Sequence, residues 1–484
     1  HLMKNPLLEK VYNTENFRKQ GHQLIDTLAN HLIDSEKQES KTIAFKDPEV
    51  EREFWENYPK DKDFHSLTKD IMDRSIHVHN PKYMGHQVAP SNPTNALTSL
   101  ISGLFNNGSA VYEMGMSNTA LEVIITNQLC AQLGFDQTAR GYLTSGGTLA
   151  NLTALLAARS VKVASGVWKN GHGKPLGIMV SEEAHYCVDR AARIMGLGDQ
   201  GIIKVAATDT YSLDANKLEA AYAEASARGL EVFAIVGSAP STATGIIDPL
   251  TDMAAFAEKH HLWFHVDGAH GGAAIYSKKY AADLAGIERA DSVAIDGHKM
   301  MMMPSLTTAL LFKDGNHSYQ TFSQKADYLL SETDHEDWYN MAKRTFECTK
   351  NMMSIHWFTL LHQYGPEVFD AFVTHLYDMG KTFAQIVNEE PDFELALAPQ
   401  TNIVCFRLLA DGLDAAQLNT LNEQLRTALV RQGDFYIVQT KLKGVHYLRV
   451  TVMNPKTTPE HITALLKQLK ELSKPILNSL LVTT

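Results

Sequence analysis

Residues 262–312 read LWFHVDGAHGGAAIYSKKYAADLAGIERADSVAIDGHKMMMMPSLTTALLF. An apolar run, 262–266, stops at Asp267 and gives way to the small residues of 268–274. A second apolar run, 292–295, stops at Asp296-Gly297-His298-Lys299. Uninterrupted apolar runs bounded by turn residues are expected for strands buried on both faces, the condition of central strands in a parallel sheet. A carboxylate and a lysine at the carboxyl ends of two such strands stand where open α/β sheets receive their ligands. The 32 residues from Asp267 to Lys299 leave room for a loop, a helix and the return strand.

An amine able to condense with an aldehyde, with an acid able to pair a pyridinium nitrogen, is the protein's share of pyridoxal-phosphate chemistry. Either residue alone would be ordinary on a surface. Together, with glycines around Asp267 and His298 before Lys299, they point to that chemistry. HVDGAHGG (265–272) followed by ADSVAIDGHKM (290–300) resembles the group II pyridoxal-phosphate-dependent amino-acid decarboxylases, which act on glutamate, aromatic amino acids, histidine or 2,4-diaminobutyrate. The resemblance runs from about Asn80 to the C-terminus. It implies a fold-type I α/β enzyme with a mostly parallel seven-stranded sheet in the large domain, an N-terminal helical arm and a smaller C-terminal α+β domain. The implied boundaries are an arm over 1–85 that wraps a partner subunit, a cofactor domain over 86–350 and a small domain over 351–484. Pyridoxal 5'-phosphate as cofactor and a homodimer with a shared active site follow from the same resemblance.

Bulk properties agree with a large soluble enzyme. The chain has 484 residues, 44% hydrophobic and 20% charged, enough for two or three domains around a sizeable core. Its net charge of −11, from 44 basic and 55 acidic residues, offers no basic footprint for nucleic acid or an anionic membrane. Cys130, Cys187, Cys348 and Cys405 are scattered, without CxxC pairing or metal spacing, as expected of a reduced cytoplasmic protein. No apolar run reaches the length of a membrane span, and no apolar leader opens the chain.

Working outward, residues 142–159, YLTSGGTLANLTALLAAR, read as a strand, a Ser-Gly-Gly-Thr turn and a helix. Glycines opening a helix let backbone N–H groups approach an anion, which the helix dipole also favours. By resemblance Gly147 and Thr148 hold the cofactor phosphate. Residues 178–193, IMVSEEAHYCVDRAAR, end a strand and start a helix near His185, the family's position for an imidazole stacked on the cofactor ring. Residues 233–250, FAIVGSAPSTATGIIDPL, give a buried strand and a hydroxyl-rich loop, where Ser238 stands for the family's cofactor-facing hydroxyl and Pro240 replaces a glycine. The resemblance also sets Ala269, Asp296 and His298 against the cofactor. Met300–303 read as core filler.

On the substrate side, His86, Gln87 and Ala110 occupy positions where the aromatic amino-acid decarboxylases carry aromatic pocket residues, so a small polar substrate is expected. Arg449, in the alternating strand pattern of 444–453, would grip a substrate carboxylate. The polar stretch 314–337 matches a family loop whose tyrosine protonates the carbon after CO2 leaves. Here His335 falls at that position, with Tyr328 and Tyr339 nearby. A histidine can deliver a proton near neutral pH, but relatives without the tyrosine can react with dioxygen and release an aldehyde. Helices are expected over 14–36, 97–104, 121–133, 351–364, 367–388, 415–433 and 459–472. Decarboxylation to the amine is the expected activity. Aromatic decarboxylation, oxygen-dependent aldehyde formation, a carbon–carbon lyase of the same fold and a cofactor-binding pseudoenzyme remain open alternatives.

Overall fold

The computed structural model describes residues 5–322 and 337–482. Its strands are β1 (Tyr83–Met84), β2 (Arg140–Thr144), β3 (Leu176–Ser181), β4 (Ile202–Val205), β5 (Glu231–Ser238), β6 (Trp263–Asp267), β7 (Ser292–Asp296), β8 (Thr308–Phe312), β9 (Phe393–Leu395), β10 (Ile403–Leu408), β11 (Tyr436–Leu442) and β12 (Val445–Thr451). Seven form one sheet in the order β2-β8-β7-β6-β5-β3-β4. The pairs from β7 through β6, β5 and β3 to β4 are parallel, and β8 runs antiparallel to both β7 and β2. Every residue of β6, β7 and β8 is buried, as apolar runs without alternation require when both faces are covered. The mostly parallel sheet expected from residues 262–312 is therefore present.

The helix Gly147–Lys162 lies against β5, β6, β7 and β8. Residues 150–159 of this helix are all buried, and alanines at 150, 154, 157 and 158 let it approach the sheet closely. A helix covered all round is a core element. Its polar members therefore need partners inside, and Asn151 finds one in His265. The end of β2 is anchored by a buried ion pair. Lys350 bonds the Glu122 carboxylate and the Leu143 carbonyl (2.6 Å), while the Leu143 N–H donates to Glu122 at 2.7 Å.

The described residues divide into two compact units, 87–322 and 337–385 with 395–405, and 5–86 with 386–394 and 406–482. The helix Met353–Tyr364 packs on the helices Pro93–Phe105 and Tyr112–Gln132, so it groups with the larger unit. The sequence reading had drawn it into the C-terminal domain. The smaller unit carries the hairpin of β11 and β12, joined at Lys443 and Gly444, both at positive φ. Asn13 caps the helix Thr14–Lys37 of this unit. β1 pairs with β11 in parallel, and the rings of Tyr83 and Tyr436 stack at 5.6 Å. At Gly85 a Cβ would lie 2.3 Å from the Tyr436 ring, so the close approach requires glycine. Among the described residues no helix is long and apolar enough to cross a membrane.

Candidate active site

Three parallel strands deliver their carboxyl ends to one cavity of about 340 Å³ in the larger unit. β6 ends on Asp267, β7 ends on Asp296 and leads to His298 and Lys299, and β5 leads to Pro240 and Thr242. The cavity is also lined by Gly147, Thr148 and Asn151 from the helix after β2, by His185, Tyr186 and Cys187 from the helix after β3, and by Ala269. Of the residues singled out above, Lys299, Asp267, His185, Gly147, Thr148, Ala269, Asp296 and His298 thus meet in one place.

Asp267 is 8% exposed; its Oδ1 accepts the Ala269 N–H at 3.2 Å, and among the described residues its Oδ2 accepts no hydrogen bond. Lys299 Nζ lies 3.3 Å from Asp296 Oδ2. Asp296 Oδ1 receives the Thr308 hydroxyl at 2.6 Å, across the β7–β8 register. His298 Nε2 is 3.6 Å from Asp296 Oδ2, and its Nδ1 meets the Thr307 N–H at 3.2 Å.

His185 caps its own helix. Its Nδ1 accepts the Cys187 N–H at 3.1 Å, so the proton of the neutral ring sits on Nε2. Burial lowers the His185 pKa, opposed by the Asp267 charge and assisted by that of Lys299. Burial also pushes the Cys187 thiol up to about 12, which keeps it a thiol.

The helix Gly147–Lys162 starts at the cavity without a side-chain cap, after Gly146 at φ +99. Its first amides have no partner within the helix and form an anion cradle. A Cβ on Gly147 would stand 3.2 Å from both Asp296 carboxylate oxygens, a tight contact that the carboxylate would have to yield to, so glycine eases the close approach of the turn. The wall therefore offers an anion cradle, an amine, a carboxylate oxygen open to an N–H and a neutral flat ring. This set fits pyridoxal phosphate: cradle for phosphate, amine for aldehyde, carboxylate for ring nitrogen.

Other expected residues fall elsewhere. Ser238 ends β5 opposite Asp267, with its N–H donated to Asp248 and its carbonyl taking the Asp248 N–H. Pro240 and Thr242, beyond it, form the wall instead. Gln87, in the larger unit, is 8% exposed, and its Nε2 finds no hydrogen-bond partner among the described residues. His86 and Arg449 belong to the smaller unit, where burial and then the Arg449 charge lower the His86 pKa. Tyr339 is exposed, with its ring edge-on to Tyr112 at 5.9 Å. His335 and Tyr328 lie outside the described residues. The sequence reading missed Ser145, Asn151, Tyr186, Cys187, Thr242 and His270 on the wall. Asn151 alone had a signal, a polar residue one helical turn after Gly147 within an apolar run.

Comparison with known proteins bears on this cavity. The family model described as "Pyridoxal-dependent decarboxylase conserved domain" matches residues 48–409. An L-2,4-diaminobutyrate decarboxylase from Acinetobacter baumannii is 27% identical over 414 residues, covering 82% of this chain and 81% of that protein. An aromatic-L-amino-acid decarboxylase from Bacillus atrophaeus is 25% identical over 473 residues, covering 96% and 97%. The crystal structure of the glutamate decarboxylase domain of a diaminobutyrate-pyruvate transaminase and L-2,4-diaminobutyrate decarboxylase from Vibrio parahaemolyticus superposes with a TM-score of 0.81 at 27% identity, covering 93% of this chain and 95% of that one.

Proposed function

Because the chain belongs to the pyridoxal-dependent decarboxylase family and is a pyridoxal-phosphate-dependent amino-acid carboxy-lyase, we propose that its substrate is a small polar L-amino acid of the 2,4-diaminobutyrate, glutamate or aspartate class and its product the amine. The observation that carries the assignment of roles is the single cavity that gathers Lys299, Asp267, His185 and the uncapped helix start. Lys299 is the attachment residue, and Asp296 Oδ2, 3.3 Å away, offers its ammonium a partner when the amine is free. Asp267, with Oδ2 left open among the described residues, would accept the ring N–H of the bound cofactor and keep that proton in place. His185, whose pKa burial lowers, would lie against the ring without a charge to desolvate, its Nδ1 being taken by its own helix cap. Gly147 and Thr148 would hold the phosphate through backbone amides, with His298, Ala269, Pro240 and Thr242 around the remaining edge in place of Ser238. When bound, the cofactor supplies an electron sink for the pair left behind as CO2 departs.

Two observations support a polar substrate. Gln87 is a buried amide with a donor to spare, and one of the relatives bears the name of a diaminobutyrate decarboxylase. By the family resemblance Gln87 and His86 are proposed for the substrate side chain and Arg449 for a carboxylate through a bidentate pair. Tyr339, or His335 or Tyr328 from outside the described residues, would return the proton. A homodimer is part of the proposal, with the arm of residues 1–85 over the partner. Exposed Leu97, Leu104, Phe105, Met114 and Met116 on two neighbouring helices support a covered face there. Four free thiols support a cytoplasmic setting.

The test is a screen of the common amino acids for CO2 release, with the product identified by mass. Amine from a small polar substrate is expected. Release from tyrosine or tryptophan alone would overturn the substrate class, and aldehyde with peroxide would overturn the product.

A further inference from the structure

One buried hydrogen-bond line runs behind the cavity. Trp263 Nε1 bonds Ser292 Oγ at 2.9 Å, Ser292 Oγ bonds His265 Nδ1 at 2.7 Å, and His265 Nε2 bonds Asn151 Oδ1 at 2.7 Å. Asn151 Nδ2 then donates to Cys187 Sγ at 3.4 Å. The direction follows from donor chemistry. An indole N–H only donates, so Ser292 Oγ accepts it and points its own proton at His265 Nδ1. The ring proton therefore sits on Nε2 and is given to Asn151 Oδ1. The carbonyl of Asn151 is committed to the interior, and its amide protons are left for Cys187 and for the cavity that both residues line.

The line joins the four elements that carry the site. Trp263 and His265 stand on β6 ahead of Asp267, and Ser292 opens β7 ahead of Lys299. Asn151 lies one turn past Gly147 in its helix, and Cys187 lies two residues past His185. His265 is 0% exposed, and burial lowers its pKa to about 4. It stays neutral through the working range, so it orients its partners and does not exchange protons with a ligand.

We propose that Trp263, Ser292 and His265 are positioning residues that aim the Asn151 amide into the cavity, and that Asn151 is a cofactor-contacting residue holding the Asp267 and His185 walls in register for a planar ring. This rests on the reading of the cavity as the pyridoxal-phosphate site. It adds a residue that the sequence did not single out and a reason for the His at the head of His265-Val266-Asp267.

The test uses the full-length protein, stripped of cofactor and titrated with pyridoxal 5'-phosphate. The readouts are the dissociation constant, the visible circular dichroism of the bound cofactor and the melting temperature of the stripped protein. Asn151→Ala and Ser292→Ala are each expected to weaken cofactor binding about tenfold, the scale at which partners behind a ligand act in other sites, and to change the visible dichroism. Because the residues act in series, Asn151→Ala/Ser292→Ala should bind as Asn151→Ala does; independent effects would multiply to about a hundredfold. A lowered melting temperature with unchanged cofactor affinity and dichroism would reduce the line to a structural one and overturn the proposal, as would multiplying losses. Wild-type protein that takes up no pyridoxal phosphate would instead remove the reading beneath it, and the proposal with it.

Discussion

Replacing Lys350 by methionine tests how the strand that introduces the anion cradle is held. Lys350 and Glu122 are each 1% exposed. Among the described residues, Glu122 receives, apart from Lys350, only the Leu143 N–H. Methionine fills the volume of lysine but leaves a carboxylate in the interior, and breaking a buried pair from one side costs roughly 3–5 kcal/mol. The loss is mainly the stranded charge, so removing that charge should restore most of it. Glutamine at 122 still accepts the Leu143 N–H, and Glu122→Gln/Lys350→Met should lie about 1–2 kcal/mol below wild type, the residue of lost hydrogen bonds. Equilibrium urea unfolding at pH 7, with reversibility checked by dilution, measures both. A Lys350→Met protein within about 0.5 kcal/mol of wild type, the range of ordinary surface changes, would refute the reasoning. So would a double variant as unstable as the single one.

Other consequences can be measured separately. His265 takes its proton only near pH 4 in the folded chain but near 6.5 when unfolded. Its contribution is present above pH 6.5 and is lost as pH falls through 4, by about 3 kcal/mol over the window. His265→Gln should remove that acid-side slope from urea midpoints, and an unchanged slope would contradict it. Burial raises Asp248 to about 6, so its contribution has the opposite sign, present at low pH and lost as pH rises through 6. Asp248 also accepts the N–H groups of Leu213 and Ser238 at 2.9 and 2.8 Å. Asparagine can accept only one, so Asp248→Asn should lower stability by about 1–3 kcal/mol, read in the same titrations. Gly147→Val would push a side chain onto the Asp296 carboxylate. Loss of cofactor on gel filtration, with the melting temperature of the stripped protein little changed, is the expected result; full retention would count against the cradle.

The parts of this molecule that could be read from its sequence are those whose physics is local. β6 and β7 announce themselves because strands buried on both faces need no alternation, and each ends on the charged residue that faces the cavity. Gly147 was legible as a close approach, although its nearest neighbour, Asp296, is 149 positions away in the chain. What escaped depended on where the chain leaves the sheet and on contacts across it. Ser238 looked like the cavity hydroxyl, but β5 stays paired to Asp267 at that residue, and the wall falls to Pro240 and Thr242. β11 went unread because its turn is Lys443-Gly444, where a lysine takes a left-handed position usually given to Asn or Asp. The helix Met353–Tyr364 could be recognised as a helix, but its sequence carries no mark of which unit it packs on. The line from Trp263 to Cys187 joins residues 112 apart in the case of Asn151 and Trp263, and no spacing rule links them.

Reduction of the cofactor-loaded protein with borohydride, followed by digestion and peptide mapping, tests the central claim most directly. A single pyridoxyl adduct on Lys299 is the result the cavity demands. An adduct on any other lysine, or none, would contradict it.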